Sequence, residues 1–301
     1  MTGNTKKGII FAVLAAAISG ASIFYNKLVV VGGIDSLIFN ILKNGGVAIA
    51  LSVFLIASGK VRILSTLTKR QWIYLAAIGI IGGSIPFVLF FDALKTVSAV
   101  NANLIQKTLF IWVALLAIPF LHEKLSAWQV VGYILVAWSN VLLGGLGGFK
   151  FSTAEFMILA ATLLWSVENV IAKITLKNTD SFVVAWGRMF IGSFILLVIA
   201  AIQGKIGLLA SVTPTQLWMT AGSIILLTGY VTSWYRALKF APATLVTSVL
   251  ILATPITNIL SAIFISHTLP NEQIMQTVVM VAGLAVIAKF ANKSTNTPLP
   301  A

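Results

Sequence analysis

The sequence predicts an all-α integral membrane protein with ten transmembrane helices, arranged as two inverted five-helix repeats around a central cavity. Composition is the first observation behind this fold class. The 301-residue chain is 59% hydrophobic and only 9% charged, whereas soluble proteins carry about 25% charged residues. The second observation is a series of apolar runs, each long enough to cross a bilayer and separated by short loops. The third is that the two halves of the chain repeat one another.

The apolar runs in the first half occupy residues 8–31, 36–58, 71–94, 98–121 and 127–145. Those in the second half occupy residues 152–175, 181–203, 215–238, 243–266 and 272–289. Lys6 and Lys7 resemble the start of a signal peptide, but the apolar run continues to Val31, so we expect an uncleaved first helix. The repeats are predicted to span residues 1–148 and 149–291. Residues 292–301, with two prolines and no apolar run, are predicted to form a disordered cytoplasmic tail.

Corresponding residues recur about 145 positions apart in the two halves. The matched sets are Asp35-Ser36 with Asp180-Ser181, Trp72 with Trp218, Lys27 with Lys173, Lys43 with Arg188, and Ala93-Leu94-Lys95 with Ala237-Leu238-Lys239. Because five helices is an odd number, the second copy must enter the membrane in the opposite direction from the first. Inverted repeats are typical of secondary transporters, whose substrate sites lie where the two halves meet.

Basic residues predict the orientation. Placing the N-terminus in the cytoplasm puts four loop cations outside, namely Lys27, Lys95, Lys150 and Lys205. It puts thirteen inside, namely Lys6, Lys7, Lys60, Arg62, Lys69, Arg70, Lys124, Lys173, Lys177, Arg236, Lys239, Lys289 and Lys293. The positive-inside rule therefore predicts a multi-pass protein of the cell (inner) membrane with both termini cytoplasmic. The same rule explains the net charge of +13 without a nucleic-acid partner.

Several stretches resemble the EamA-type transporters of the drug/metabolite transporter superfamily. They are Ala93-Leu94-Lys95-x-Val97-Ser98-Ala99, followed by Lys107, His122-Glu123-Lys124-Leu125, Trp128-Gln129 and Gly132, and Leu164-Trp165-Ser166-x-x-Asn169-x-x-x-Lys173. The resemblance covers essentially the whole chain. It implies a ten-helix basket whose cavity is lined by helices one, three, four, six, eight and nine, with helices five and ten peripheral. It also implies export or exchange of small metabolites, often amino acids. In the second half, His267 stands at the position matched to Glu123.

Lys107 is the first candidate for substrate binding, because it lies about two turns inside a predicted membrane helix. A lysine at that depth costs about 2.5–3.5 kcal/mol on insertion scales and normally faces a bundle interior or an aqueous cavity. Asn103 lies one helical turn before it on the same face. The alternative is a lysine that snorkels along its aliphatic stem to the interface.

Glu168 is the second candidate, about sixteen residues into the sixth predicted helix. Trp165 and Asn169 share its face by their spacing. Glu168 is predicted to bind a substrate amine or to carry a coupling proton, or else to pair with Lys107 or Arg188. Lys107 and Glu168 are expected to face one cavity with an axial offset of about 10 Å, from 1.5 Å per residue.

Further candidates lie on other helices. Asn26 is a candidate substrate ligand on the first helix. Tyr230 and Trp234 either line the cavity or belong to an interfacial aromatic belt, which is the commoner role. Asp92 is a second candidate for proton coupling, or a solvated charge at a helix end. Lys43 and Arg188 occupy matched positions, where both are expected to snorkel or anchor their helices, with attraction of anions left open.

The sequence offers no catalytic motif, metal site or cofactor site. His122-Glu123 lacks the second histidine of a zinc-protease motif, since Ser126 stands there. The glycines around 144–148 follow no strand, and the chain has no P-loop and no cysteine. We therefore predict a non-enzymatic secondary or facilitative carrier for small metabolites such as amino acids, embedded in lipid as a monomer or homodimer. The alternatives are an exporter of organic anions or amphipathic drugs, and a membrane enzyme or structural subunit.

Overall fold

The computed structural model describes residues 3–93, 96–97, 102, 105–144 and 152–291. These residues form helices and connecting turns, and no strand occurs among them. The helices are α1 (Gly3–Val31), α2 (Ser36–Ala57), α3 (Arg62–Thr66), α4 (Lys69–Gly83), α5 (Ile85–Ala93), α6 (Leu109–Leu121), α7 (Ala127–Gly144), α8 (Thr153–Thr175), α9 (Ser181–Ile202), α10 (Pro214–Phe240), α11 (Ala243–Val249), α12 (Ala253–Ser261) and α13 (Asn271–Phe290). Each predicted apolar run overlaps one or two of them.

Seven helical segments in the described part of the chain are long and apolar enough to cross a membrane. They are Gly3–Val30, Ser36–Ala57, Lys69–Ala93, Thr153–Thr175, Ser181–Ile202, Ala243–Ser266 and Asn271–Phe290. The other predicted segments correspond to two shorter apolar helices, Ile105–Leu121 and Ala127–Ser139, and to α10, whose 27 residues are less apolar. The chain is therefore a multi-pass membrane protein.

Helices begin where the sequence supplies side-chain acceptors for free backbone N–H groups. Asp35 accepts hydrogen bonds from Leu37 and Ile38 at the start of α2, and Asp180 accepts one from Phe182 at the start of α9. Capping boxes precede three further helices, formed by Thr68 with Gln71, Ser152 with Glu155, and Thr213 with Gln216. Such caps satisfy groups that would otherwise be unpaired at a helix end.

Two ion pairs show how the halves are related. Lys60 Nζ lies 2.8 Å from Asp180 Oδ2, and Lys205 Nζ lies 3.0 Å from Asp35 Oδ2. Asp180 follows Asp35 by 145 residues, and Lys205 follows Lys60 by the same interval. The end of α2 therefore meets the start of α9, and the start of α2 meets the end of α9. Equivalent helices run antiparallel, as an inverted repeat requires.

Two glutamine contacts repeat this symmetry at opposite ends of the bundle. Gln71 Nε2 donates to Asn178 O, and Gln216 Nε2 donates to Gly32 O, each at 3.1 Å. We call the two ends of the bundle the Asp180 end and the Asp35 end. The helices of the two halves interleave, because α1 packs along α10 and α8 packs against α4, α5 and α6. The largest buried cluster accordingly draws side chains from both halves.

The third predicted helix is divided into two pieces, α4 and α5. The division falls at Ser84, whose backbone angles of −135° and −73° are not helical. Pro86 follows two residues later and cannot donate a backbone hydrogen bond to the preceding turn. Gly83 is packed so closely on Arg188 O and the Gly192 backbone that a side chain would not fit. The break therefore lies at the contact between α4 and α9, inside the bundle.

The structure corrects the predicted match between Glu123 and His267. His122 and His267 both end their helices in the left-handed conformation, each with φ of 54°. His267 is therefore the counterpart of His122, and Thr268 is the counterpart of Glu123. A π-helical turn at Ala262–Ser266 accommodates one extra residue in the second half, which explains why the spacing between halves changes from 144 to 145 along this helix.

The helices α7 and α13 pack chiefly on each other. A Cβ atom on Gly132 would lie 2.8 Å from Gly283 O, and one on Gly283 would lie 2.9 Å from Gly132 O. Small residues permit this close approach of helix backbones in a membrane. The pair lies beside the other helices, which matches the peripheral position that the resemblance implies for helices five and ten.

Candidate functional site

Glu168 lies in a buried polar cluster with Arg188 and Tyr235. Tyr235 Oη donates to Glu168 Oε1 at 2.5 Å, and Arg188 Nη1 lies 3.9 Å from Glu168 Oε2. Glu168 and Tyr235 are fully buried, and Arg188 is 6% exposed. Opposite charges and a hydroxyl donor reduce the cost of placing a carboxylate here. The cluster joins α8, α9 and α10, which all belong to the second half.

The first half contributes backbone carbonyls to this cluster, at the break between α4 and α5. Gly82 O accepts hydrogen bonds from Trp165 Nε1 and from Arg188 Nη2, both at 3.1 Å. Asn44 Nδ2 donates to Gly83 O at 3.2 Å. A Cβ on Gly82 would collide with Glu168, so only glycine fits there. Side chains from α2, α8 and α9 thus satisfy the carbonyls that a broken helix leaves free.

Hydrogen-bonding capacity remains unused in this cluster. Among the described residues, Glu168 Oε2, Arg188 Nε and Asn44 Oδ1 are buried without a hydrogen-bond partner. Buried polar atoms in native proteins are nearly always paired, so each such atom needs an explanation. Glu168 Oε2 and Asn44 Oδ1 are acceptors and Arg188 Nε is a donor, so a water molecule or a polar ligand group is the kind of partner that can serve both types of atom.

Asn169 and Trp234 connect α8 to α10 next to the cluster. Trp234 Nε1 donates to Asn169 Oδ1 at 3.0 Å, and Asn169 Nδ2 donates to Trp165 O at 2.8 Å. The Trp234 ring stacks on Tyr230 at a centroid distance of 5.9 Å. Trp234 is 1% exposed, so it lies in the bundle interior. The interpretation as an interfacial aromatic belt is therefore wrong for Trp234.

Lys107 is 8% exposed, and no hydrogen bond or ion pair links it to another described residue. It is not in contact with Glu168. Ile105, two residues before Lys107, belongs to a buried cluster with Ile158 of α8. The axial offset of about 10 Å between Lys107 and Glu168 stays a prediction.

The remaining candidates lie apart from this cluster. Asn26 accepts a hydrogen bond from Ser223 Oγ at 2.8 Å and donates one to Ser22 Oγ, which links α1 to α10. Asp92 is half-buried and lines a groove at the Asp35 end. Asn103 lies outside the described residues. The structure therefore brings Trp165, Glu168, Asn169, Tyr230 and Trp234 together, and places Asn26, Asp92 and Lys107 elsewhere.

Arg188 and Lys43 do not snorkel, contrary to one of the two expectations for them. Lys43 is 3% exposed, and its ammonium lies over three phenylalanine rings. The sequence offered pairing of Glu168 with Arg188 as an alternative, and the structure contains that ion pair, but neither Arg188 nor Tyr235 was predicted as a substrate ligand. Arg188 carried a usable signal, since it is a cation inside a predicted helix and Glu168 is the one carboxylate at comparable depth. Gly82 carried no signal that separates it from other helix glycines.

The Asp180 end is closed by hydrogen bonds around the junction of α10 and α11. Glu123 accepts from Ala243 N at 2.7 Å and from Thr244 N and Oγ1 at 3.1 and 2.6 Å. Lys173 Nζ donates to Leu238 O and Ala241 O. A carboxylate thus caps the N-terminus of α11, and an ammonium caps the C-terminus of α10. Both placements favour the helix dipoles.

The chain was compared with protein families and with known proteins. The EamA-like transporter family matches residues 6–144 and 152–289. An uncharacterized transporter from Clostridium kluyveri is 24% identical over 305 residues, covering 97% of this chain and 96% of that protein. One from Synechocystis sp. is 24% identical over 246 residues, covering 77% and 69%. One from Methanothermobacter thermautotrophicus is 26% identical over 142 residues, which is 45% of this chain and 41% of that protein.

The fold has a solved counterpart. A crystal structure at 17% sequence identity superposes with a TM-score of 0.76 and covers 96% of this chain and 98% of its own. At that identity the likeness shows the fold alone. The family assignment rests on two matches, one in each half, that together account for most of the sequence. The chain belongs to the EamA-like transporter family.

Proposed function

We propose that the protein is a secondary or facilitative carrier that exports or exchanges small metabolites, such as amino acids or related compounds, by alternating access of its two halves. One observation carries this proposal. The Glu168 carboxylate, one oxygen of which accepts no hydrogen bond, is buried at a broken helix where the two inverted halves meet. Ionisable groups inside a membrane bundle are costly and generally serve transport or proton transfer. Broken helices at repeat interfaces form the substrate sites of many secondary transporters.

In this proposal Lys107 attracts the anionic group of the substrate, and Glu168 takes its amine or the coupling proton. Trp165, Asn169, Tyr230 and Trp234 are proposed to line the site around Glu168, and Asn26 and Asn103 are proposed as further substrate ligands. Asp92 is the second candidate for proton coupling. Arg188 competes with the substrate for Glu168, so a coupling proton or a substrate amine is bound only when that ion pair loosens.

We propose ten transmembrane helices, with repeats at residues 1–148 and 149–291. The protein lies in the cell (inner) membrane, and both of its termini are cytoplasmic. Lys60, Lys173 and Lys239 all lie near the Asp180 end, which supports that end as the cytoplasmic one. Reporter fusions at Lys150 are expected to be external and fusions at Lys239 cytoplasmic. Fusions that report the same side at both positions would disprove the inverted topology.

The transport assay uses purified protein in liposomes that contain no nucleotide. The substrate is first identified by a thermal-shift screen, since a ligand at one hundred times its dissociation constant adds about 2.7 kcal/mol of stability. The wild type is expected to move that substrate down its gradient or against a counter-gradient, because no ATP-binding motif is present. A strict requirement for ATP would disprove the carrier hypothesis.

Two charge-neutralising variants test the roles of the buried residues. Lys107→Met and Glu168→Gln keep the side-chain shape, so both are expected to insert and fold but to lose transport. Glu168→Gln is also expected to flatten the pH dependence if Glu168 carries the proton. Glu272→Gln is the matched control, since Glu272 is exposed. Wild-type transport by both variants would show that Lys107 and Glu168 are structural.

A second candidate, export of organic anions, is favoured by a specific observation. The Glu168 charge is matched by Arg188, so the unmatched buried charges in the described part of the bundle, Lys43 and Lys107, are both positive. Amphipathic drugs remain a third substrate class. We propose no catalytic, metal or nucleic-acid function, and either a monomer or a homodimer in lipid.

A further inference from the structure

Lys43 is a buried cation with few partners. Its Nζ donates to Asn40 Oδ1 at 3.0 Å and lies 4.6, 5.3 and 5.3 Å from the ring centroids of Phe39, Phe87 and Phe91. An ammonium has three N–H donors, and the described residues provide no second polar acceptor. Cation–π contacts stabilise the charge only partly. Two donors therefore remain for a ligand or for water.

No carboxylate of the protein neutralises Lys43. The chain has seven Asp and Glu residues, and all seven lie in the described ranges. None of them forms an ion pair with Lys43. A buried charge without a partner is strongly unfavourable. An anion from outside the chain would remove this cost.

The inverted repeat explains why the partner is missing. Lys43 is the counterpart of Arg188, whose charge is matched by Glu168. When Lys27 is aligned with Lys173, the counterpart of Glu168 is Ser22. The second half thus contains both members of an ion pair, and the first half retains only the cation.

A small groove at the Asp35 end lies beside the residues that contact Lys43. Asn40, Phe87 and Phe91 line this groove together with Ser36, Asp92 and Lys205. The Asn40 side chain and these two rings also contact the Lys43 ammonium, so three residues are shared by the groove and the cation. The Phe87 ring packs on Trp165 at a centroid distance of 5.5 Å, which places the groove next to the candidate site.

We propose that Lys43 and Asn40 form a subsite for the carboxylate of an organic anion whose apolar body packs on Phe87 and Phe91. A carboxylate accepts the two free N–H donors, and such charge-assisted hydrogen bonds are about twice as strong as neutral ones. The part of this subsite in transport rests on the proposed function. If the protein is a carrier, the subsite assigns organic anions as its substrate class. Binding itself is measured independently of transport.

The test measures thermal unfolding of the purified full-length protein with three probes that share one ring. Benzoate is anionic, benzyl alcohol is neutral and benzylamine is cationic at pH 7. Benzoate is expected to raise the unfolding temperature, and the other two are not. Lys43→Met is expected to weaken benzoate binding about tenfold or more, the range expected for a lost hydrogen bond to a charged group. Lys43→Arg retains the charge and is expected to retain binding.

Lys177→Met is the control for loss of one positive charge, because Lys177 is exposed and lies at the Asp180 end, away from the groove. It is expected to keep the response to benzoate. Lys43→Met is expected to unfold at or above the wild-type temperature without ligand, since it removes an unpaired buried charge, so lost binding cannot be attributed to misfolding. Equal responses to the three probes, or a benzoate response that survives Lys43→Met, would overturn the subsite even if the protein transports a substrate. Lys43-dependent binding in a protein that transports nothing would instead overturn the proposed function.

Discussion

Breaking the Glu168–Arg188 pair provides a quantitative test of the candidate site. Arg188→Met leaves a buried carboxylate without its counter-charge, and removing one partner of a buried ion pair typically costs about 3–5 kcal/mol. Glu168→Gln also leaves a buried charge, that of Arg188, without its counter-charge. The amide oxygen still accepts from Tyr235 and Arg188 keeps its hydrogen bond to Gly82 O at 3.1 Å, so we expect a cost of about 3 kcal/mol, the lower end of that range.

The double variant Glu168→Gln/Arg188→Met removes both charges and is expected to be more stable than Arg188→Met alone. Replacing a whole buried ion pair by uncharged groups is often neutral or stabilising. The expected interaction energy is therefore at least about 2 kcal/mol, well above the deviation of about 0.5 kcal/mol seen for independent sites. The measurement is the thermal unfolding of the four proteins in one detergent.

The same four proteins separate stability from transport. If the pair is part of the transport site, the double variant recovers stability but does not recover transport in liposomes. Additive destabilisation in the double variant would refute the conclusion that Glu168 and Arg188 are energetically coupled. Recovery of both stability and transport would show that the pair serves only to hold α8 and α9 together.

Three further predictions concern other parts of the fold. Burial raises the pKa of Asp35 and Asp180, but hydrogen bonds from a lysine and from backbone N–H groups outweigh it and hold each pKa below 3.8. Their stabilisation is thus fully present above pH 4 and is lost as the pH falls through the lowered pKa. Asp35→Asn and Asp180→Asn should each cost about 0.5–1 kcal/mol at pH 7, and the cost measured by unfolding should shrink as the pH is lowered below 4. Gly192→Ala places a Cβ 2.7 Å from the Gly83 backbone and should lower the free energy of unfolding by about 1–3 kcal/mol. Gly45 has open space around it, so the control variant Gly45→Ala should not lower the unfolding temperature. Glu123→Gln weakens the cap of α11, so hydrogen exchange of residues 243–249 should accelerate; unchanged exchange would argue against closure of the Asp180 end by Glu123.

Much of the architecture follows from local sequence properties. Composition and the length of the apolar runs identify a membrane protein because the bilayer fixes both the polarity and the length of a spanning helix. The Asp35 and Asp180 side chains cap α2 and α9 by accepting hydrogen bonds from backbone N–H groups only two or three residues further along the chain. The repeated residues and the odd number of helices in each half predict that the two halves are antiparallel. The ion pairs Lys60–Asp180 and Lys205–Asp35 join opposite ends of α2 and α9, as antiparallel halves require.

The partners of the buried charges depend on tertiary structure. The sequence predicts that Glu168 is buried, but its contacts with Arg188 and Tyr235 arise from the way α8, α9 and α10 pack. The break at Ser84 is likewise placed by the contact of Gly83 with α9, although Pro86 indicates a distortion nearby. Periodicity describes one helix at a time, whereas neutralisation of a buried charge depends on atoms from several helices. For this reason the sequence by itself determined the membrane fold and the depth of its charged residues, and only the tertiary structure decided that Glu168 is paired and that Lys43 is not.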